Sequence, residues 1–316
     1  MRIVVFGAGA VGSLLGASLA HGGHTVLLIG RADHVAAIRT EGLRITGSIV
    51  ETIQILAETT VPPEFAPEAA LLTPKTFDLP SAASHFALQV PSPIPTLLPQ
   101  NGLGIEADVL GALGGGGWSE PERWVVRAVN TLPATFVGPG SVRAAGTGEI
   151  VLGRASGPAA ESTRTFARLF RSTEIPVRTV NDLDREVWRK ALINAAVNPV
   201  TALHGVPNGR LIEEPYHTEA QDLLREALAT AHAYGFTFPE KELRADLDRI
   251  VRATSENRSS MLQDFDRGRR TEIQAISGEI LRRGVAKGLD LPATRKAVEA
   301  IRSRSPGGIP ARAQPS

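Results

Sequence analysis

The residues best spaced for chemistry begin at Gly7-Ala8-Gly9-Ala10-Val11-Gly12, a G-x-G-x-x-G near the start of the chain. The three glycines serve different physical purposes: the first permits a tight turn, the second lets a pyrophosphate approach the backbone, and the third lets helix and strand pack closely. A helix opening there presents unpaired N–H groups and a positive dipole end to the phosphates. In NAD sites an Asp or Glu about 20 residues further on holds the ribose 2′-hydroxyl. Here that place reads Gly30-Arg31-Ala32. No carboxylate there repels a 2′-phosphate, and Arg31 can pair with one in a forked geometry, so NADPH/NADP+ is the expected cofactor. A solvated surface arginine is the competing description of Arg31, and Asp33 lies close by.

A second constellation is Lys190, Asn194 and Asn198, spaced four apart. On a helix each such step rises ~6 Å and drifts only ~40°, so the three make one polar stripe. Leu192, Ile193, Ala195, Ala196 and Val197 make much of the remaining surface apolar, which predicts a deeply buried helix. Buried polar groups need partners, and a polar ligand is one way to supply them. The alternative is that Lys190 reaches solvent and the amides bond to backbone. Ser260, with Gln263 at the capping-box position, reads as an N-cap; the same geometry could also bind a carboxylate. Glu272 stands at the start of another helical pattern, where the helix dipole alone would account for an acid.

These residues must be positioned by regular elements. Residues 2–6 read as a buried strand, 10–21 as a helix and 25–29 as a second buried strand, a βαβ unit around the glycines. A helix follows at about 32–40, then period-two segments near 43–46 and 49–55 and an apolar run at about 69–73. Strands and helices alternate to about 153; after about 180, helix periods dominate at 182–198, 215–234, 239–255, 260–266, 271–287 and 292–303. The pattern predicts an α/β domain over 1–172, a helical domain over 173–304 and a disordered tail over 305–316.

Composition limits the alternatives. The chain has 316 residues, 34 Lys+Arg against 33 Asp+Glu, and no Cys, which excludes disulfides, a Cys-ligated metal and a thiol nucleophile. A net charge of +1 offers no field for nucleic acid or an anionic membrane. The apolar N-terminus could pass for a secretory leader, but the spacing of Gly7, Gly9 and Gly12 has no purpose in one. No segment reaches the ~18 apolar residues of a membrane span, so a soluble, cytoplasmic protein is expected. The 7 histidines show no metal-ligand spacing, and no metal requirement is expected.

Taken in order, GAGAVG at 7–12, Arg31, Lys75, QNGLG at 100–104, WRKALINAAVNPVTAL at 188–203, ENRSSMLQD at 256–264 and TEI at 271–273 resemble the ketopantoate reductase (2-dehydropantoate 2-reductase) family. The resemblance is collinear over about 1–300. It implies a Rossmann-type doubly wound sheet domain followed by an all-helical domain like that of 6-phosphogluconate dehydrogenase, with the active site in the cleft between them. It implies reduction of the ketone of 2-dehydropantoate to (R)-pantoate with NADPH, on the route to pantothenate and coenzyme A.

Position by position, the resemblance makes Lys190 the general acid and Glu272 the residue that assists it or orients the substrate. Asn194, Asn198, Asn257 and Ser260 match positions holding the substrate's hydroxyl and carboxylate ends, and Lys75 and Asn101 match residues beside the nicotinamide and its ribose. The chemistry agrees: hydride delivered to a 2-oxo carbon creates an alkoxide, which a nearby cation and proton donor stabilise and complete. The expected partner is a small-molecule 2-oxo acid, with a homodimer left open. Pro74 before Lys75, the PSPIP segment and the Gly114–Gly117 run depart from the family pattern. Two other readings remain: a reductase of a different 2-oxo acid, and an inactive NADPH sensor, which would have no reason to keep Lys190, Asn194, Asn198, Ser260 and Glu272.

Overall fold

Strand β1 (Arg2–Phe6) shows why a sheet forms here: Ile3 and Val5 enter the core on one face, Val4 the core on the other, and all three are fully buried. Burial on both faces is the mark of a parallel sheet covered by helices. The computed structural model describes residues 1–304; the expected tail lies outside the described residues. The chain divides between Glu186 and Val187 into two compact units.

In the first unit, α1 (Ala10–His21), β2 (Thr25–Ile29), α2 (Ala32–Glu41), β3 (Leu43–Gly47), β4 (Glu51–Ile53), β5 (Leu56–Glu58), β6 (Ala69–Leu72) and α3 (Leu79–Gln89) follow β1. Then come β7 (Thr96–Leu98), α4 (Ile105–Gly115), β8 (Val125–Asn130), β9 (Ala134–Gly138), β10 (Ser141–Ala144), β11 (Ile150–Gly153), α5 (Ala160–Arg171) and β12 (Val177–Val180). Eight strands form one sheet in the order β12-β11-β8-β7-β6-β1-β2-β5, parallel except where β8 meets β11. Leu14, Leu15 and Leu19 of α1 and Phe166 and Phe170 of α5 cover one face, while Phe86 of α3 and Leu113 of α4 cover the other. This is the expected Rossmann-type doubly wound domain.

Two expectations change in detail. The period-two segment at 49–55 shortens to β4, which joins β3 in a four-stranded sheet, β4-β3-β10-β9, and a strand just beyond it, β5, pairs with β2 at the edge of the large sheet. Alternation marks a strand without saying which sheet receives it. Residues after 172 also belong to the first unit, because β12 pairs with β11; the division falls at Glu186 and Val187 instead of 172/173. The exposed Arg178 and Thr179 in the middle of β12 hide that strand from a hydrophobicity reading.

The second unit is all-helical, as expected: α6 (Leu183–His204, begun at the end of the first unit), a 3₁₀ turn (Asn208–Ile212), α7 (Tyr216–Ala233), α8 (Glu240–Ala253), α9 (Ser260–Asp266), a π-helical turn (Gln274–Gly278), α10 (Glu279–Ala286) and α11 (Pro292–Arg304). Helix α6 runs through Pro199, past the expected end at 198. A proline costs an interior helix about 3 kcal/mol, but Val200, Thr201 and Ala202 beyond it are all buried and hold the helix on course. No helix among the described residues is long and apolar enough to cross a membrane.

Candidate functional site

The glycine loop is shaped by what its side chains would hit. Gly7 has φ +112°, and a Cβ there would lie 2.7 Å from the Pro74 nitrogen. A Cβ on Gly12 would stand 2.4 Å from the Gly7 carbonyl and 2.5 Å from Thr73 Oγ1. Around Gly9, by contrast, a Cβ would meet nothing within 4 Å, and the residue is exposed. The N–H groups of Gly7 and Ala8 both donate to Ile29 O, at 3.0 and 2.7 Å, and Thr73 Oγ1 donates to Gly7 O at 2.7 Å. Helix α1 then opens with Ala10 and Val11, without a side-chain cap or an acid in its first turn. The loop stands where β1 has β2 on one side and β6 on the other, so the strand order reverses there, the place where open α/β sheets bind ligands. The open cradle at Gly9 and the uncapped helix fit a pyrophosphate.

Arg31 follows β2 and is exposed at the N-cap of α2. The neighbouring Asp33 accepts a hydrogen bond from the His34 N–H at 2.9 Å, so its carboxylate serves its own helix. His34 is buried; Nδ1 accepts from the Gly140 N–H at 2.8 Å and Nε2 lies 3.2 Å from Ser13 Oγ. Desolvation lowers its pKa, with the charge of Asp33 opposing. The neutral ring thereby ties α1, α2 and the β9–β10 turn into one frame behind the loop. Nothing in its spacing distinguished His34 from the other histidines.

Lys75 and Asn101, both half-buried, follow the carboxyl ends of the adjacent strands β6 and β7. Their turns are tied together by Gln100, whose Nε2 donates to Leu72 O at 2.6 Å and to Pro74 O at 3.2 Å. Pro74 therefore has a place: it closes over Gly7 and lends its carbonyl to Gln100. Arg127 of β8, buried, donates to Gly102 O at 3.0 Å and to Leu98 O at 3.4 Å, and pairs with Glu106 at 3.1 Å. Gln100 and Arg127 were missed as site-shaping residues: Arg127 because a charged residue on a strand gives no sign of burial, and Gln100 because its carbonyl partners Leu72 and Pro74 are distant in sequence.

In the second unit, Lys190 and Asn194 are half-buried on α6 and Asn198 is buried. Neighbouring side chains face elsewhere: Trp188 stacks against Phe236 at 5.5 Å and Arg189 pairs with Asp246. The Nδ2 of Asn198 is a buried donor with no hydrogen-bond partner, and Oδ1 of buried Asn208 is an acceptor in the same position. Such orphans call for an explanation, and a bound polar ligand is one. Asn208 also positions the half-buried Asn257: its N–H donates to Asn257 O at 2.9 Å and its Nδ2 to Thr254 Oγ1 at 3.0 Å.

Ser260 is not the N-cap expected from the spacing. Ser259 is, accepting from Leu262 N at 3.1 Å, while Gln263 Nε2 donates to Arg258 O at 2.9 Å and completes no capping box. Ser260 is the exposed first residue of α9. Glu272 is buried just ahead of the π-helical turn, where Gly278 N–H donates to Ile273 O at 2.8 Å, five residues back. A π-helical turn replaces the expected helix start, and such turns are frequent at functional sites.

A doubly wound sheet with an open glycine cradle at its switch point, followed by a helical unit, defines a Rossmann-type dinucleotide-binding protein with an appended all-helical domain. Residues 3–157 match the family model described as Ketopantoate reductase PanE/ApbA, and residues 182–305 the one described as Ketopantoate reductase PanE/ApbA C terminal. The chain belongs to the ketopantoate reductase family. It is 31% identical over 307 residues to the 2-dehydropantoate 2-reductase of Archaeoglobus fulgidus, covering 97% of this chain and 98% of that one. The crystal structure of a PanE/ApbA family ketopantoate reductase from Ralstonia eutropha is similar with a TM-score of 0.83 and 31% identity, over 96% of this chain and 98% of the other. D-mandelate dehydrogenase, solved with NADH and anilino(oxo)acetate, shares the fold with a TM-score of 0.87 at 22% identity, over 96% and 98% of the two chains.

Proposed function

We propose that this protein reduces the ketone of 2-dehydropantoate to (R)-pantoate with NADPH, in the biosynthesis of pantothenate and coenzyme A. The observation that carries the reading is the stripe Lys190, Asn194 and Asn198, with an orphaned buried amide at Asn198, in a member of this family. A protein that only sensed the nucleotide would need the glycine loop and Arg31 but not that stripe.

The residues fall into two sets. Gly7, Ala8, Gly9, Ala10, Val11 and Gly12 hold the pyrophosphate, Arg31 pairs with the 2′-phosphate, and Lys75 and Asn101 lie beside the nicotinamide and its ribose. Bound NADPH supplies a hydride to the 2-oxo carbon. Lys190 places its positive charge at the ketone oxygen and gives that oxygen its proton, which completes the alcohol. Glu272 assists Lys190 or orients the substrate, and Asn194, Asn198, Asn257 and Ser260 hold the hydroxyl and carboxylate ends. A reductive biosynthetic step suits the cytoplasm, and a chain without cysteine needs no oxidising compartment.

The test is the steady-state rate of NADPH oxidation with 2-dehydropantoate and with a panel of branched and unbranched 2-oxo acids. The expected result is a kcat/KM for 2-dehydropantoate at least about 10-fold above any other, the scale on which small differences in a pocket discriminate. A higher kcat/KM for another 2-oxo acid would move the substrate while leaving the chemistry.

A further inference from the structure

The second unit contains a buried chain of hydroxyls outside the roles assigned above. Thr201 Oγ1, on fully buried Thr201 of α6, lies 2.7 Å from Ser259 Oγ, the N-cap of α9. Leu262 N–H donates to Ser259 Oγ at 3.1 Å, and Thr201 Oγ1 lies 2.9 Å from Val197 O and 3.1 Å from Asn198 O. A hydroxyl has one proton. The carbonyl oxygens can only accept, so Thr201 gives its proton to them, and Ser259 gives its own to Thr201. The chain thus has a direction, from the Leu262 amide through both hydroxyls to the backbone of Asn198.

Its two ends stand beside two residues of the proposed substrate site. One end is the carbonyl of Asn198, the residue whose Nδ2 is orphaned, and near the other, Ser259 is bonded covalently to Ser260. Capping α9 requires only Ser259 and Leu262; the bond to Thr201 is additional and joins α9 to α6. We propose that Thr201 and Ser259 are positioning residues that fix the Ser260 hydroxyl relative to the Asn198 amide, and thereby set the spacing at which a 2-oxo acid is held. The proposal rests on the substrate reading given above.

Thr201→Val keeps shape and the Ser259 cap but removes the link; Thr201→Ser keeps the hydroxyl; Ser259→Gly breaks the link from the other side with little loss of capping. KM for 2-dehydropantoate, kcat, the NADPH Kd by fluorescence titration and Tm are measured for each, with Ser260→Ala alongside. Thr201→Val and Ser259→Gly should raise KM about 10-fold and lower kcat less, because the lost grip is shared by the bound substrate and the transition state. Their NADPH Kd should stay within about twofold, and Thr201→Ser should match the wild type within the same factor. A lowered Tm with unchanged KM in both link-breaking variants would show that the link is structural only. Unchanged KM in Ser260→Ala would instead overturn the substrate role of Ser260, and this proposal with it. Ser259→Gly decides the matter should Thr201→Val fail to fold.

Discussion

The loop after β1 and the stripe on α6 are built on opposite principles. At the loop, the proposed cofactor binding depends on atoms that are missing: Gly9 keeps open a space that a side chain would enter, and Gly7 and Gly12 remove atoms that would strike Pro74, Thr73 and the loop's own backbone. On α6 the proposed binding depends on atoms that are present, and there Nδ2 of Asn198 is buried without a hydrogen-bond partner.

The largest effect should come from the loop. Gly12→Ala sets a Cβ 2.4 Å from a backbone oxygen, so the βαβ unit must shift, and the variant should lose NADPH binding together with much of its Tm. Gly9→Ala meets no protein atom within 4 Å, so its Tm should stay near wild type while its NADPH Kd, read by fluorescence titration, rises at least ~10-fold. Equal loss of Tm in both would break the distinction between glycines that make room for protein and one that makes room for ligand.

Arg31 is the side-chain element of the loop region. Arg31→Asp replaces an attractive partner of the 2′-phosphate with a repulsive one, so KM for NADPH should rise ~10-fold or more while KM for NADH changes little. Comparable changes for both cofactors would make Arg31 an ordinary surface residue.

The smallest effect concerns the frame behind the loop. The pKa of His34 is lowered by burial from its ordinary 6.5, so between the two values the unfolded chain binds more protons than the folded one. The stability His34 contributes is complete above pH 6.5 and is lost as the pH falls below it. The slope from one such group is at most about 1.4 kcal/mol per pH unit. In His34→Asn, the drop in Tm from pH 7 to about pH 5 should be smaller than in the wild type. An identical drop would assign the acid sensitivity to other groups.

Much of this was legible in the sequence, for reasons that differ between the two regions. The glycines and the first βαβ unit could be read because the motif's spacing after a strand has a physical reason at each position: no room for a side chain at Gly7 and Gly12, and space left open at Gly9. The stripe could be read from its four-residue spacing, whereas Lys75, Asn101 and Asn257 gained their roles only through the family resemblance. Long-range partners were invisible. Ser260 and Gln263 have the spacing of a capping box, but Ser259 takes the cap, with Thr201, distant in sequence, bonded to it. Nothing local in the sequence marks Arg127 as buried; the carbonyls of Leu98 and Gly102, distant in sequence, receive its guanidinium. Strand β12 was concealed by its polar middle, and the domain boundary moved with it.

The central claim is that Lys190 supplies the proton and positive charge at the reacting carbonyl. Stopped-flow NADPH oxidation with 2-dehydropantoate, run beside fluorescence titration of the cofactor on folded Lys190→Ala, tests it most directly. The interaction removed grows as the alkoxide forms, so kcat should fall at least ~10²-fold while the NADPH Kd stays near that of the wild type. Lys190→Arg should recover only part of the loss, because guanidinium keeps the charge but does not readily give up a proton. Turnover near the wild-type rate in Lys190→Ala would contradict the account and pass the acid role to another group, with Lys75 the first to examine.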